Sequence, residues 1–147
     1  NKLANELSVS RETVYNYLSF LEQTYFISLL PRHSASIDRQ AAGSRKLFFC
    51  DSGIANVLGR ISQGQLLEQS IFQILRHHHK LSFYNKDGAS KIDFIVDNSA
   101  AVEVKMSVSR QDLTNLKKRS ERLHLSENYV VTLQYSDNDR AILATDM

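Results

Sequence analysis

Lys91-Ile92-Asp93-Phe94-Ile95-Val96, then Asp97-Asn98-Ser99, then Ala100-Ala101-Val102-Glu103-Val104-Lys105 is the stretch that decides the fold. Two apolar runs rich in Ile, Val and Phe flank a turn-like Asp-Asn-Ser, which is the pattern of a β-hairpin. Side chains two residues apart share one face of a strand. Glu103 and Lys105 therefore lie on one face, with Val102 and Val104 on the other. Pairing of the two runs brings Asp93 to the same patch, so two carboxylates and one lysine converge. That is the minimal equipment for holding a divalent metal ion against a phosphodiester.

Upstream, a helix begins at Gln65 and runs to Arg76. Ile71, Phe72 and Leu75 lie at i+3, i+4 and i+7 from Glu68, so Glu68 shares their stripe and points towards the sheet. A buried carboxylate without a partner is costly, and this one requires a cation or a metal nearby. The competing reading is that Glu68 flanks the stripe and reaches water. A strand at 81–85 and a turn at Lys86–Ser90 precede the opening stretch, whose strands cover 91–96 and 100–106. Downstream, Ser109 caps a helix from Arg110 to His124, with Leu113, Leu116, Arg119 and Leu123 along one side. Strands at 128–134 and 141–145 complete an α-β-β-β-α-β-β order, the first of the two apolar enough to be interior.

Residues 3–22 read as two helices and a tight turn. Ser10 is a good N-cap, and Val14, Tyr17, Leu18 and Leu21 recur at helical spacing. Arg11, Thr13, Tyr15, Asn16 and Ser19 face away from that stripe. This is helix-turn-helix patterning, in which Arg11 and Asn16 are candidates to reach a nucleic-acid groove. A two-helix packing unit that touches no nucleic acid fits the same pattern. Strands at 26–30 and 46–50 pair as a wing, and the stretch from Pro31 to Arg45 is long for a hairpin loop, its small residues favouring mobility.

The chain has 147 residues, 42% of them hydrophobic and 23% charged, in the range of a globular protein. A formal net charge of +2 excludes a polycation, but basic residues bunch at Lys117, Lys118, Arg119 and Arg122. Such a stripe tracks a phosphate backbone or forms an ordinary solvated helix face. No run approaches the roughly 20 apolar residues of a membrane span, and no signal-peptide pattern opens the chain. Cys50 is the only cysteine, so no intrachain disulfide forms, which favours a reducing, cytoplasmic setting. Cys50 reads as a buried strand residue. His77-His78-His79 reads as a helix C-terminus where donors are favoured, more than as a metal site. Asn1-Lys2-Leu3-Ala4 resembles the interior of a helix, so a fragment of a longer protein is expected.

The α-β-β-β-α-β order with Asp93, Glu103-Val104-Lys105 and Glu68 resembles the PD-(D/E)xK nuclease superfamily, the restriction-endonuclease-like fold. Lys91-Ile92 stands before the first acid in place of a proline. A closer resemblance covers nearly the whole chain. It rests on Leu3-Ala4-x-x-Leu7, Ser10-x-x-Thr13-Val14-x-x-Tyr17-Leu18, Lys46-Leu47-Phe48-Phe49-Cys50-Asp51-Ser52-Gly53, Gly64-Gln65-Leu66-Leu67-Glu68-Gln69 and the two strands of the opening stretch. These are similar to the uncharacterised C-terminal domain that follows an AAA-type ATP-binding module in bacterial and archaeal ATPases. Gln69 stands where that family usually has asparagine.

The resemblance implies an α/β (α+β) protein with a small winged-helix-like module at 1–58 and a restriction-endonuclease-like core with a mixed central sheet at 59–147. It implies Asp93, Glu103 and Lys105 as catalytic residues with Glu68 assisting. Asp93, Glu103 and Glu68 would be the ligands of Mg²⁺ or Mn²⁺. Lys117, Lys118 and Arg122 would hold the nucleic-acid backbone, with DNA as the partner. The chain lacks the G-x-x-x-x-G-K-[ST] phosphate-binding loop, so ATP belongs to the preceding ATPase module, its expected partner. Two functions remain open: a Mg²⁺-dependent deoxyribonuclease, and a non-catalytic module that couples the ATPase to DNA or to a protein.

Overall fold

A computed structural model describes residues 2–34, 43–58, 61–86, 88 and 90–147. In the N-terminal part, α1 (Lys2–Glu6) turns into α2 (Arg11–Gln23). Ser10 caps α2, its Oγ accepting the Thr13 N–H at 3.0 Å. β1 (Ile27–Pro31) and β2 (Arg45–Phe49) pair antiparallel, and α3 (Ser52–Leu58) follows. The mobile loop expected over 31–45 falls largely on residues 35–42, which lie outside the described residues.

α4 (Gln63–Leu75) starts two residues before the predicted position. Ser62 and Gln65 form a reciprocal capping box, and that Ser-x-x-Gln pattern fixes the start. The strands β3 (Leu81–Lys86), β4 (Ser90–Val96), β5 (Ala100–Lys105), β6 (Glu127–Thr132) and β7 (Ala141–Leu143) form one sheet in that order. β3–β4 and β4–β5 are antiparallel; β5–β6 and β6–β7 are parallel. α5 (Arg110–Arg122) is the crossover between β5 and β6. The fold is thus mixed α/β, with the predicted element order. Asp97 and Asn98 make the β4–β5 turn at φ of +49° and +56°, a region that short polar side chains tolerate.

Each sheet face carries its own core. Leu67, Ile71, Phe72 and Leu75 of α4 pack on Phe94, Val96, Val102 and Val131. On the other face Leu116 of α5 and Leu125 pack on Ile92, Ile95, Ala101 and Val130. The β1–β2 hairpin belongs to the first of these cores through Leu30 and Phe48. The Phe48 ring stacks on Phe72 at 4.1 Å between centroids and 12° between planes. Gln69, only 4% exposed, clamps the β2 backbone from α4. Its Nε2 donates to Phe49 O at 2.7 Å and its Oε1 accepts Phe49 N–H at 3.1 Å. Gln73 donates to the same carbonyl. A two-point amide contact of this kind fixes both the height and the orientation of the hairpin on α4.

Cys50 stands one residue past β2 and is half-buried, which corrects the buried strand position. Arg76, spread over the Phe72 ring, donates to its Sγ at 3.1 Å. After α4, the His78 and His79 N–H groups close the helix on Leu75 O, and His79 Nδ1 lies 2.7 Å from Asp97 Oδ2.

Candidate functional site

The β3–β4 ladder slips at the first acidic residue. Ser82 pairs with Ile95 and Tyr84 with Ile92, so Asp93 and Phe94 together oppose Phe83. This is a β-bulge, which re-aims a side chain and ends regular pairing. Its effect is visible in the cores: Ile92 and Ile95 both belong to the α5 side, with Phe94 and Val96 on the α4 side. The β4–β5 ladder ends beyond the pair Phe94–Val102. In the opening so formed, Asp93 Oδ2 accepts the Val104 N–H at 3.0 Å. That bond places the Asp93 carboxylate against the Glu103-Val104-Lys105 backbone.

Asp93 and Glu103 nevertheless differ in their partners. Asp93 shares a cation with Glu68: Lys46 Nζ of β2 bonds Glu68 Oε1 and lies 3.8 Å from Asp93 Oδ1. The Glu68 side chain is 18% exposed and faces inward, as its stripe on α4 predicts. Burial raises its carboxyl above the usual range, and the neighbouring Asp93 charge raises it further, against the opposing pull of Lys46 and Lys91. An acid with a raised folded-state value binds its proton more tightly when folded. Its contribution to stability therefore declines as pH rises from about 4.5 through that raised value.

Glu103 is 7% exposed and engages two cations. Lys105 Nζ lies 3.2 Å from Oε1, and Arg119 Nη2 donates to Oε2 at 3.1 Å. Arg119 also donates to the Lys91 carbonyl, which ties α5 to β4, and to the Asn115 carbonyl one turn back on its own helix. Lys105 in turn reaches Asp112 Oδ1 at 3.8 Å. Hydrogen bonds from Ser109 hold the Asp112 carboxyl below the usual carboxylate range. Among the described residues, four carboxylates (Glu68, Asp93, Glu103, Asp112) thus face three directly paired cations (Lys46, Lys105, Arg119), and the Lys91 charge also acts on Glu68.

The four site residues read from the sequence, Glu68, Asp93, Glu103 and Lys105, lie in this linked region. The three carboxylates are split between two ion-pair groups, and among the described residues no three His, Cys, Asp or Glu side chains are gathered to hold a metal ion. Lys46, Arg119 and Asp112 complete the network; the sequence does not single out Lys46 and Asp112, and it reads Arg119 as part of the basic run and of the apolar side of its helix. The residues assigned to nucleic acid lie elsewhere: Lys117, Lys118 and Arg122 on the exposed side of α5, Arg11 and Asn16 exposed on α2. Lys117 stands 4.0 Å from Glu121 one turn on. Arg119 turns inward, away from that stripe.

The chain belongs to the family described as Domain of unknown function (DUF4143), which matches residues 63–144 and so contains α4, the five-stranded sheet and α5. Residues 1–65 match a second family, Domain of unknown function (DUF8612). Lys46 falls within the second match, and Glu68, Asp93, Glu103 and Lys105 within the first. No curated protein and no solved structure matches the chain. Among the described residues no helix is long and apolar enough to cross a membrane.

Proposed function

We propose that this chain is the nuclease-like C-terminal region of an AAA-type ATPase and acts on the phosphodiester backbone of DNA with a divalent metal ion. The observation that carries this reading is the Asp93–Val104 hydrogen bond at the bulge, which draws the first acid to the Glu-x-Lys strand. The donor set is all oxygen, which suits Mg²⁺ or Mn²⁺. Mg²⁺ is commonly held by only one or two carboxylates together with waters and substrate phosphates, so a trio of protein ligands is not required. Asp93 would hold the ion with Glu103 or Glu68. Once bound, it would polarise a phosphoryl oxygen and lower the pKa of a coordinated water.

The chain's own residues have separable tasks. Val104 N–H fixes the Asp93 carboxylate. Lys105, with 37% of its side chain exposed, is the site cation with the most access to a substrate, and it meets the charge that grows on the phosphate. Arg119 holds Glu103 in place. Lys117, Lys118 and Arg122 hold the backbone at a distance, in a way that weakens with salt and is indifferent to sequence. Arg11 and Asn16 on α2 offer a second contact.

A non-catalytic coupling module is the second reading. It is favoured by the two Glu103 oxygens, each already bonded to a cation of the same chain. Calorimetric titration with Mg²⁺ and Mn²⁺ tests the choice. Binding is expected for the native chain, with about a tenfold or greater loss in Asp93→Asn, because one carboxylate charge is removed from the ion's vicinity. Failure of either ion to bind would leave the second reading.

A further inference from the structure

Among the described residues, Lys46 is the one site residue that comes from the N-terminal part, residues 1–58, and its position is built with more care than a surface ion pair requires. Three contacts seat its strand without help from the ammonium. Phe48, two residues on and on the same face, stacks on Phe72 and lies 5.7 Å from the Phe94 ring. Gln69 grips the Phe49 backbone on both its N–H and its carbonyl. Gln73 adds a second donor to that carbonyl. The Lys46 ammonium then rests 5.5 Å from the Phe48 ring centroid and between two carboxylates that repel each other. A third of its side chain remains exposed, so the flexible stem has an exit to water.

We propose that Lys46 is a positioning residue that stands in a divalent cation's place between Glu68 and Asp93 and must be displaced before the ion binds. The inference rests on the metal-dependent reading above and adds to it the identity of the competitor. Without a cation, Glu68 and Asp93 face each other across the edge of the site, and the ammonium keeps them together. When an ion arrives, two positive charges cannot share that gap, and the lysine swings out while Phe48 and Gln69 keep the hairpin in place. The metal affinity of the site is then set in part by residues 1–58, which carry none of its carboxylates. By linkage, anything that moves β2 changes metal binding, and metal binding changes the seat of Lys46 by the same factor.

The test is Mn²⁺ binding by electron paramagnetic resonance on the full chain, comparing the native protein with Lys46→Met, Lys46→Gln and Lys46→Arg. Loss of one neighbouring positive charge is expected to tighten Mn²⁺ binding about tenfold or more in the Met and Gln variants. Lys46→Arg keeps the charge and is expected to stay within a few-fold of native. Thermal melts give a second readout. The Met and Gln variants are expected to melt lower than native without metal and to gain more from added Mn²⁺. Equal or weaker Mn²⁺ binding in Lys46→Met and Lys46→Gln, with native binding intact, overturns the role of Lys46 and leaves the metal site standing. Absence of Mn²⁺ binding in every protein overturns the metal-dependent reading and this inference with it. Two neutral variants of different polarity keep the comparison decisive if one of them fails to fold.

Discussion

Phe72→Ala is expected to lower the unfolding free energy by about 3–5 kcal/mol, the usual cost of truncating a buried aromatic. Phe72 is fully buried, stacks face to face on Phe48, and lies 6.3 Å from the Phe94 ring. Its removal opens a cavity between the N-terminal hairpin, α4 and the sheet at once. The loss therefore falls on the contact that joins the two halves as well as on the sheet core. Urea unfolding followed by far-ultraviolet circular dichroism measures it. A single transition shifted to lower urea is expected. A loss below about 1 kcal/mol, as at a site away from the core, would show that the two halves do not share a core.

Arg119→Met is expected to cost about 3–5 kcal/mol, for a different reason. Breaking one side of a buried ion pair leaves the partner charge uncompensated, which costs far more than replacing the whole pair. Glu103 would lose the Oε2 partner and keep only Lys105, on a side chain that is 10% exposed. The Lys91 and Asn115 carbonyls would lose a donor in the same change. Adding Glu103→Gln to Arg119→Met removes the stranded charge, so the double variant is expected to recover part of the loss. Chemical denaturation of the two single variants and the double variant forms a complete cycle. Equal and additive costs would show that Arg119 and Glu103 do not depend on each other.

The strands that carry the site were legible because their residues keep a two-residue period and a turn of Asp and Asn. Glu68 was legible because three apolar residues at helical spacing point it inward. The bulge at Asp93 was not, since no glycine or proline marks it and the unbroken apolar run Phe94-Ile95-Val96 fits a strand buried on both faces as well as one that changes face. As a result the sequence pattern puts Asp93 and Glu103 on one patch, whereas the structure gives Asp93 to the Lys46–Glu68 group and Glu103 to Arg119. Two signals for the missing cations were present. Lys46 shares a strand face with Phe48, so a buried Phe48 implies an inward-facing lysine. Arg119 lies three residues after Leu116 and four before Leu123, on the apolar side of α5, so it too had to face the sheet. What no local pattern carries is the pairing of these cations with specific carboxylates, because Lys46 and Glu68 are 22 residues apart and meet only through the packing of the hairpin on α4. Gln69 shows the same limit. Its role as the clamp on Phe49 emerges only once β2 lies beside α4.

In the proposed function the Glu103-Val104-Lys105 strand and Asp93 form a working site on the phosphodiester backbone. The most direct measurement is cleavage of end-labelled single- and double-stranded DNA in Mg²⁺ or Mn²⁺ by the native chain and by Lys105→Ala. Metal-dependent cleavage is predicted for the native chain, with a fall of about 10²–10³ in rate for Lys105→Ala, the range found when a preorganised charge-stabilising group is removed. Equal cleavage by the two proteins, or none by the native chain with either metal, would contradict it.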